Sequence, residues 1–95
     1  MKITEQRIVI TGAAGGIGAA LCRQLASAGA RLLLVGRNQA ALSALAHSLR
    51  QAHPGAEVEC LVLDITEPQA PSRLLDEAET RMGGLDILIN NAALP

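Results

Sequence analysis

Ninety-five residues suffice for one small domain, and 49% of them are hydrophobic although Phe, Tyr and Trp are all absent. That apolar content excludes a disordered chain and leaves Leu, Ile, Val and Ala to build the core. A net charge of -1, with eight basic residues scattered along the chain, provides neither basic stripe nor aromatic platform and argues against nucleic acid as a partner.

Met1-Lys2-Ile3-Thr4-Glu5 lacks the apolar core of an export signal. The longest apolar runs, about six residues, fall far short of a membrane span. A cytoplasmic protein without membrane contact is expected. Its two cysteines, Cys22 and Cys60, read as free thiols, buried or half-buried.

Short apolar runs alternate with helical periodicity, the pattern of βαβ units on a parallel sheet. Ile8-Val9-Ile10 is the first strand. A helix is predicted from Ile17 to Ala28, with Ile17, Leu21 and Leu25 four apart as its stripe, and Gly29 ends it. Arg31 to Val35 is a second strand without alternation, as suits a sheet covered on both faces. Asn38 caps a second helix with the stripe Leu42, Leu45 and Leu49, which stops at His53-Pro54-Gly55. Val58 to Leu63 is the third strand. A helix from about Gln69 to Arg81 is expected to bury Leu74, Leu75, Ala78 and Met82, its early prolines tolerable in a first turn. Gly83-Gly84 ends it, and Leu85 to Ile89 forms the fourth strand.

Right-handed crossovers put the first two helices on one face. A nucleotide crevice at the first strand requires the chain to reverse there, giving strand order 3-2-1-4 and sending the third helix to the other face. The predicted fold is α/β: part of a Rossmann-like doubly wound parallel sheet, with four strands and three helices.

Thr11-Gly12-Ala13-Ala14-Gly15-Gly16-Ile17-Gly18 lies between the first strand and the first helix, the build of a dinucleotide phosphate site. Gly12 permits a sharp turn, Gly16 lets backbone approach a pyrophosphate at the positive end of the helix, and Gly18 lets that helix pack tightly on the sheet. The spacing Gly-x-x-x-Gly-x-Gly differs from the Gly-x-Gly-x-x-Gly fingerprint, and no Gly-Lys-Ser/Thr follows to make a Walker loop.

These residues resemble the cofactor loop of the short-chain dehydrogenase/reductase family, in its classical branch. Asp64-Ile65 resembles the family's adenine-side pair, and Asn90-Asn91-Ala92 its Asn-Asn-Ala-Gly motif, with Ala93 where the pattern has Gly. The resemblance runs through all 95 residues. It implies a nicotinamide dinucleotide held by Gly12, Ala14, Gly15, Gly16, Ile17 and Gly18, by Arg37 and Asn38 at the second strand's end, and by Asp64, Ile65, Asn91 and Ala92. Asp64 either accepts from the adenine amino group or caps the turn after it. Asn90 ties neighbouring strands, Asn91-Ala92 lies along the ribose, and Thr11 braces the loop against the fourth strand.

The same resemblance favours NADP(H) over NAD(H). Gly36 stands where NAD users of the family carry an acid, and Arg37 beside it can present a guanidinium fork to a 2′-phosphate; the alternative is a solvated Arg. His47 and His53 read as surface residues, and neither they nor the cysteines have metal-ligand spacing.

Reduction of a carbonyl needs a tuned acid and a polarising hydrogen bond, which the family takes from a Tyr, a Lys four residues on and a Ser. This chain has no Tyr, its one lysine is Lys2, and Ser27, Ser43, Ser48 and Ser72 fall in helical segments. No catalytic residue is assigned. The family's catalytic set follows the fourth strand, so the chain is expected to be the N-terminal half of an oxidoreductase that moves hydride to or from a small carbonyl or alcohol substrate and can form a homo-oligomer. A non-catalytic nucleotide-binding or protein-interaction module is the alternative. An epimerase or dehydratase of the extended branch, with Gly-x-x-Gly-x-x-Gly, fits the spacing less well.

Overall fold

A computed structural model describes residues 2–92. Its elements are β1 (Arg7–Thr11), α1 (Gly16–Ser27), β2 (Arg31–Gly36), α2 (Gln39–Ala52), β3 (Val58–Val62), α3 (Ala70–Met82) and β4 (Ile87–Asn90). All neighbouring strands pair in parallel, in the order β3-β2-β1-β4 that the crossover argument required.

The sheet is lined on both faces. Ile8, Ile10, Leu32 and Leu34 point towards α1 and α2, and Val9, Leu33 and Val35 towards α3. That is why β2 lacks polar alternation: each of its four central residues is buried. Burying each such side chain contributes roughly 1.5–3 kcal/mol.

Local signals set the helix ends. The Asn38 side chain accepts from the Ala41 N–H at 3.0 Å as an N-cap. Gly83 ends α3 in the left-handed region at φ +76°, which glycine adopts without a Cβ penalty.

Two predicted helix faces need correction. In α1 the stripe against the sheet is Gly18, Cys22 and Ala26, whereas Ile17 is 74% exposed and Leu21 and Leu25 lie at its flank. The cause is Gly18, whose lack of a side chain lets the helix close on β1, so small residues take the face that periodicity gave to large ones. In α3 the buried stripe is Ala70, Leu74, Ala78 and Met82, and Leu75 is 55% exposed. A stripe spaced by four residues leaves its neighbour about 100° round the helix, out over the flank.

β4 begins at Ile87, later than periodicity suggested: Leu85 packs against the α3-side core and Asp86 belongs to a clamp. Arg7 Nε and Nη2 donate to the Asp86 carboxylate at 2.9 and 3.0 Å, its backbone N–H donates to Oδ2 at 2.8 Å, and Nη1 donates to the Gly83 carbonyl at 2.8 Å. The clamp fixes the entry to β4 against the start of β1. The Arg7 hydrogen bonds hold the Asp86 carboxyl well below its ordinary range, at about 2.

Both cysteines are free, Cys22 buried and Cys60 half-buried. Burial pushes the Cys22 thiol up to about 11. Among the described residues no helix is long and apolar enough to cross a membrane, and no cluster of three His, Cys, Asp or Glu side chains could hold a metal.

Candidate cofactor site

The strand order reverses between β1 and β4, and a crevice in such a sheet lies outside the C-terminal ends of the strands, where the loops after β1, β2 and β4 gather. β1 leaves through Gly12, at φ +64°, into a turn in which Gly15 N–H donates to the Gly12 carbonyl at 3.2 Å and Ala13 N–H donates to the Val35 carbonyl at 3.2 Å. Ala19 N–H then closes the first helical turn on the Gly15 carbonyl at 2.7 Å.

The glycines differ in what a side chain would meet. A Cβ on Gly18 would stand 2.2 Å from the Gly12 oxygen and 3.0 Å from Ala13 Cα, so the strand-to-helix turn closes only over a bare Cα. A Cβ on Gly12 would stand 2.9 Å from Ala92 Cα. A Cβ on Gly16 would meet nothing within 4 Å. Gly16 therefore faces open space beside the start of α1, whose first N–H groups have no acceptor within the helix and no side-chain cap from Gly15. An anion seated there would meet those donors and the positive end of a 12-residue helix. Ala14, Gly15, Gly16 and Ile17 are all exposed along this rim, and Ile17, released from the core, offers it an apolar surface.

Thr11 holds the rim to β4. It is 3% exposed, and its hydroxyl donates to Asn90 Oδ1 at 2.9 Å while accepting from the N–H groups of Asn91 and Ala92 at 3.1 and 3.2 Å. Its hydroxyl does reach the backbone beyond β4, and Asn90 does tie neighbouring strands. Asn91 does something the sequence did not suggest: its side-chain amide donates to the Gly12 carbonyl at 3.2 Å. That oxygen thus receives two donors and is held over Gly18. Seventy-nine residues separate the partners, a distance at which no local pattern signals a contact.

At the end of β2, Gly36 leaves the strand without a side chain and Arg37 is exposed. Asn38 commits its side-chain oxygen to the α2 cap. Across from them Asp64 caps its own turn, Oδ1 accepting from Thr66 Oγ1 at 2.6 Å and from Thr66 N–H at 2.9 Å. These bonds, with the Arg37 charge adding a smaller share, hold the Asp64 carboxyl below its ordinary range. The cap is formed, and it engages one of the two oxygens. Ile65 is half-buried beside it. His47 lies exposed on α2, and His53 lines a groove with Thr4, Gly29 and Glu57 at the opposite end of the sheet. The Ala93 departure lies outside the described residues.

Comparison with known proteins gives this geometry a context. Residues 6–95 match the family model described as short chain dehydrogenase. The chain is 40% identical over 94 residues to a 1-deoxy-11-beta-hydroxypentalenate dehydrogenase of Streptomyces avermitilis, covering 99% of this chain and 34% of that protein. Among solved structures, L-sorbose reductase from Gluconobacter frateurii complexed with NADPH and L-sorbose superposes with a TM-score of 0.89 at 32% identity, over 99% of this chain and 36% of the reductase. NAD+-bound xylitol dehydrogenase superposes with a TM-score of 0.89 at 32% identity, over 99% of this chain and 35% of that enzyme. The chain thus spans little more than a third of the length of these relatives. With the match running from before β1 through the Asn90-Asn91-Ala92 motif, the chain belongs to the short chain dehydrogenase family.

Proposed function

We propose that this chain is the cofactor-holding part of a short-chain oxidoreductase, and that its nucleotide is NADP(H) in preference to NAD(H). The observation that carries the reading is the open space at Gly16 beside uncapped helix N–H groups, together with an exposed Arg37 next to a Gly36 that bears no acid. In this reading Gly12, Ala14, Gly15, Gly16, Ile17 and Gly18 cradle the pyrophosphate and Arg37 meets the 2′-phosphate. Asn38 and Asp64-Ile65 border the adenosine, and Asn91-Ala92 the neighbouring ribose. Relatives are seen with NADPH and with NAD+, so the preference rests on the β2 end alone.

A bound nicotinamide would supply hydride chemistry. The residues here bind and orient it, and the Thr11–Asn91 bonds keep the loop in shape for it. Protonation of a carbonyl oxygen calls for an acid that this chain, without Tyr and with Lys2 as its one lysine, does not offer at the crevice. We therefore assign turnover of a small carbonyl or alcohol to a longer parent, of which residues 1–95 are the N-terminal portion, and expect none from this chain alone.

Fluorescence titration with NADPH and NADH tests the cofactor. NADPH is expected to bind at least tenfold tighter, about 1.4 kcal/mol. Arg37→Ala should level the two affinities, and Gly36→Asp should turn the ratio towards NADH. A Cβ at position 36 would stand 3.3 Å from Leu42 Cδ2, which the tip of that leucine can accommodate by moving a few tenths of an ångström. A ratio unchanged by both substitutions would remove NADP(H) preference from the reading.

A further inference from the structure

Among the described strands β3 pairs with β2 alone and forms one side of the sheet. Leu32 N–H donates to the Glu57 carbonyl and Leu63 N–H to the Gly36 carbonyl, both at 2.9 Å. Odd-numbered residues of β3 therefore turn their backbone groups towards β2, and Val58, Cys60 and Val62 turn theirs outward. From Val58 to Leu63 the chain carries one charge, Glu59, and neither proline nor glycine. An apolar run of this kind with bare outward carbonyls would be a template for another strand.

Two of those carbonyls are not bare. Arg50 donates through Nη2 to the Val58 carbonyl, and Arg81 Nη1 donates to the Cys60 carbonyl at 2.7 Å. The two arginines come from opposite faces, since α2 packs with Val58 on one side of the sheet and α3 with Leu61 on the other. Each stands in the last turn of its helix, where a basic side chain ordinarily meets its own helix's last carbonyls and the negative end of the dipole. Both reach across to the strand. Glu77, one turn back, holds Arg81 at 3.0 Å, and Glu59 of β3 itself lies 3.5 Å from it. The single carboxylate of the edge is thereby engaged as well.

We propose that Arg50 and Arg81 are edge guards, which keep β3 closed to a strand from a second copy of this chain. Little else on the edge would stop one. Antiparallel self-pairing of β3 centred on Cys60 sets Glu59 opposite Leu61 and not opposite its own counterpart, so no like charges meet. Val62, 44% exposed, adds apolar surface to the same edge. An incoming strand must bring its N–H groups to the Val58 and Cys60 carbonyls and finds guanidinium groups already there. To enter, it has to break two charge-assisted hydrogen bonds, and removing Arg81 also costs that side chain its contacts with Glu77 and Glu59.

Residue-resolved hydrogen exchange by NMR, over roughly a hundredfold range of concentration, reads the state of this edge. In the wild-type chain the outward amides of Cys60 and Val62 are expected to exchange quickly, at one rate throughout. In Arg50→Gln/Arg81→Gln the shorter side chains fall short of both carbonyls. The same two amides should then slow by roughly tenfold or more as concentration rises, while the inward amides of Glu59 and Leu61 stay as protected as before. Arg81→Gln alone frees the Cys60 carbonyl and should give a smaller slowing at the same positions; it serves where circular dichroism finds the double variant unfolded. Wild-type Cys60 and Val62 amides that slow with concentration overturn the proposal. So does a folded variant in which they never slow, and so does slowing accompanied by lost protection at Glu59 and Leu61, which marks local unfolding.

Discussion

Gly18→Ala and Gly16→Ala, made two residues apart on the same helix, should fail in different ways. At Gly18 the added methyl would lie 2.2 Å from the Gly12 oxygen and 2.9 Å from Asn91 Nδ2, more than 1 Å inside ordinary contact with the first. The obstacle is backbone, so the loop and the start of α1 must separate. Overpacking of this kind costs about 1–3 kcal/mol and sometimes more, against at most ~1 kcal/mol gained from replacing a helical glycine with alanine. A net loss of about 2 kcal/mol lowers the unfolding midpoint of a domain this size by roughly 10 °C. At Gly16 the methyl meets nothing, so stability should hold within about 0.5 kcal/mol. NADPH affinity should nevertheless fall at least tenfold, because the methyl occupies the space assigned to the pyrophosphate. Thermal melts by circular dichroism and cofactor titration on both variants separate the two effects. A Gly18→Ala protein that melts with the wild type would refute the packing argument, and a Gly16→Ala protein that binds NADPH undiminished would refute the placement of the phosphates.

Thr11→Val keeps the shape but strands the N–H groups of Asn91 and Ala92 and frees Asn90; it should cost about 2 kcal/mol or more in urea unfolding, with Thr11→Ser recovering most of it. Asp86 carries its stabilising charge above its ordinary 3.8, because a lowered folded-state value favours the folded state wherever the unfolded carboxyl is already ionised. The advantage of wild type over Asp86→Asn should therefore be full above about pH 4 and fade as the pH falls towards 2; parallel melts across that window check it, and a constant gap would break the link to the Arg7 clamp. Cys22, buried with its thiol pushed up to about 11, should resist alkylation in the folded protein at neutral pH and react on unfolding, while half-buried Cys60 reacts first. Mass spectrometry of the labelled chain reads the order directly.

Much of this architecture is legible in the sequence. Leucine runs between glycine turns marked a sheet covered on both faces, and crossover handedness then left one strand order. Asn38 and Gly83 marked helix ends because their local chemistry needs no tertiary context. The helix faces were harder. Periodicity weights large side chains, so it chose Ile17 and Leu75, whereas α1 closes on the sheet through Gly18, Cys22 and Ala26. The glycine loop was legible from its position between strand and helix as the turn that closes over a bare Gly18. The Asn91 bond to Gly12 was not, since it depends on which strands end side by side. Asp64 was legible only as two alternatives, because a carboxylate with a hydroxyl two residues on can cap its own turn whatever else it meets.

Four of the bonds that shape the glycine loop reach far along the chain: Thr11 to Asn90, Asn91 and Ala92, and Gly12 to Asn91, across 79 to 81 residues. β1, β2 and β3 can zip together from local crossovers, but the loop acquires its final form only when β4 docks. Contacts of such long sequence separation are late and slow to form. The final shape of the loop therefore depends on the docking of β4, which requires residues as far along as Ala92. A ligand that bound only the completed loop would also stabilise the docking of β4.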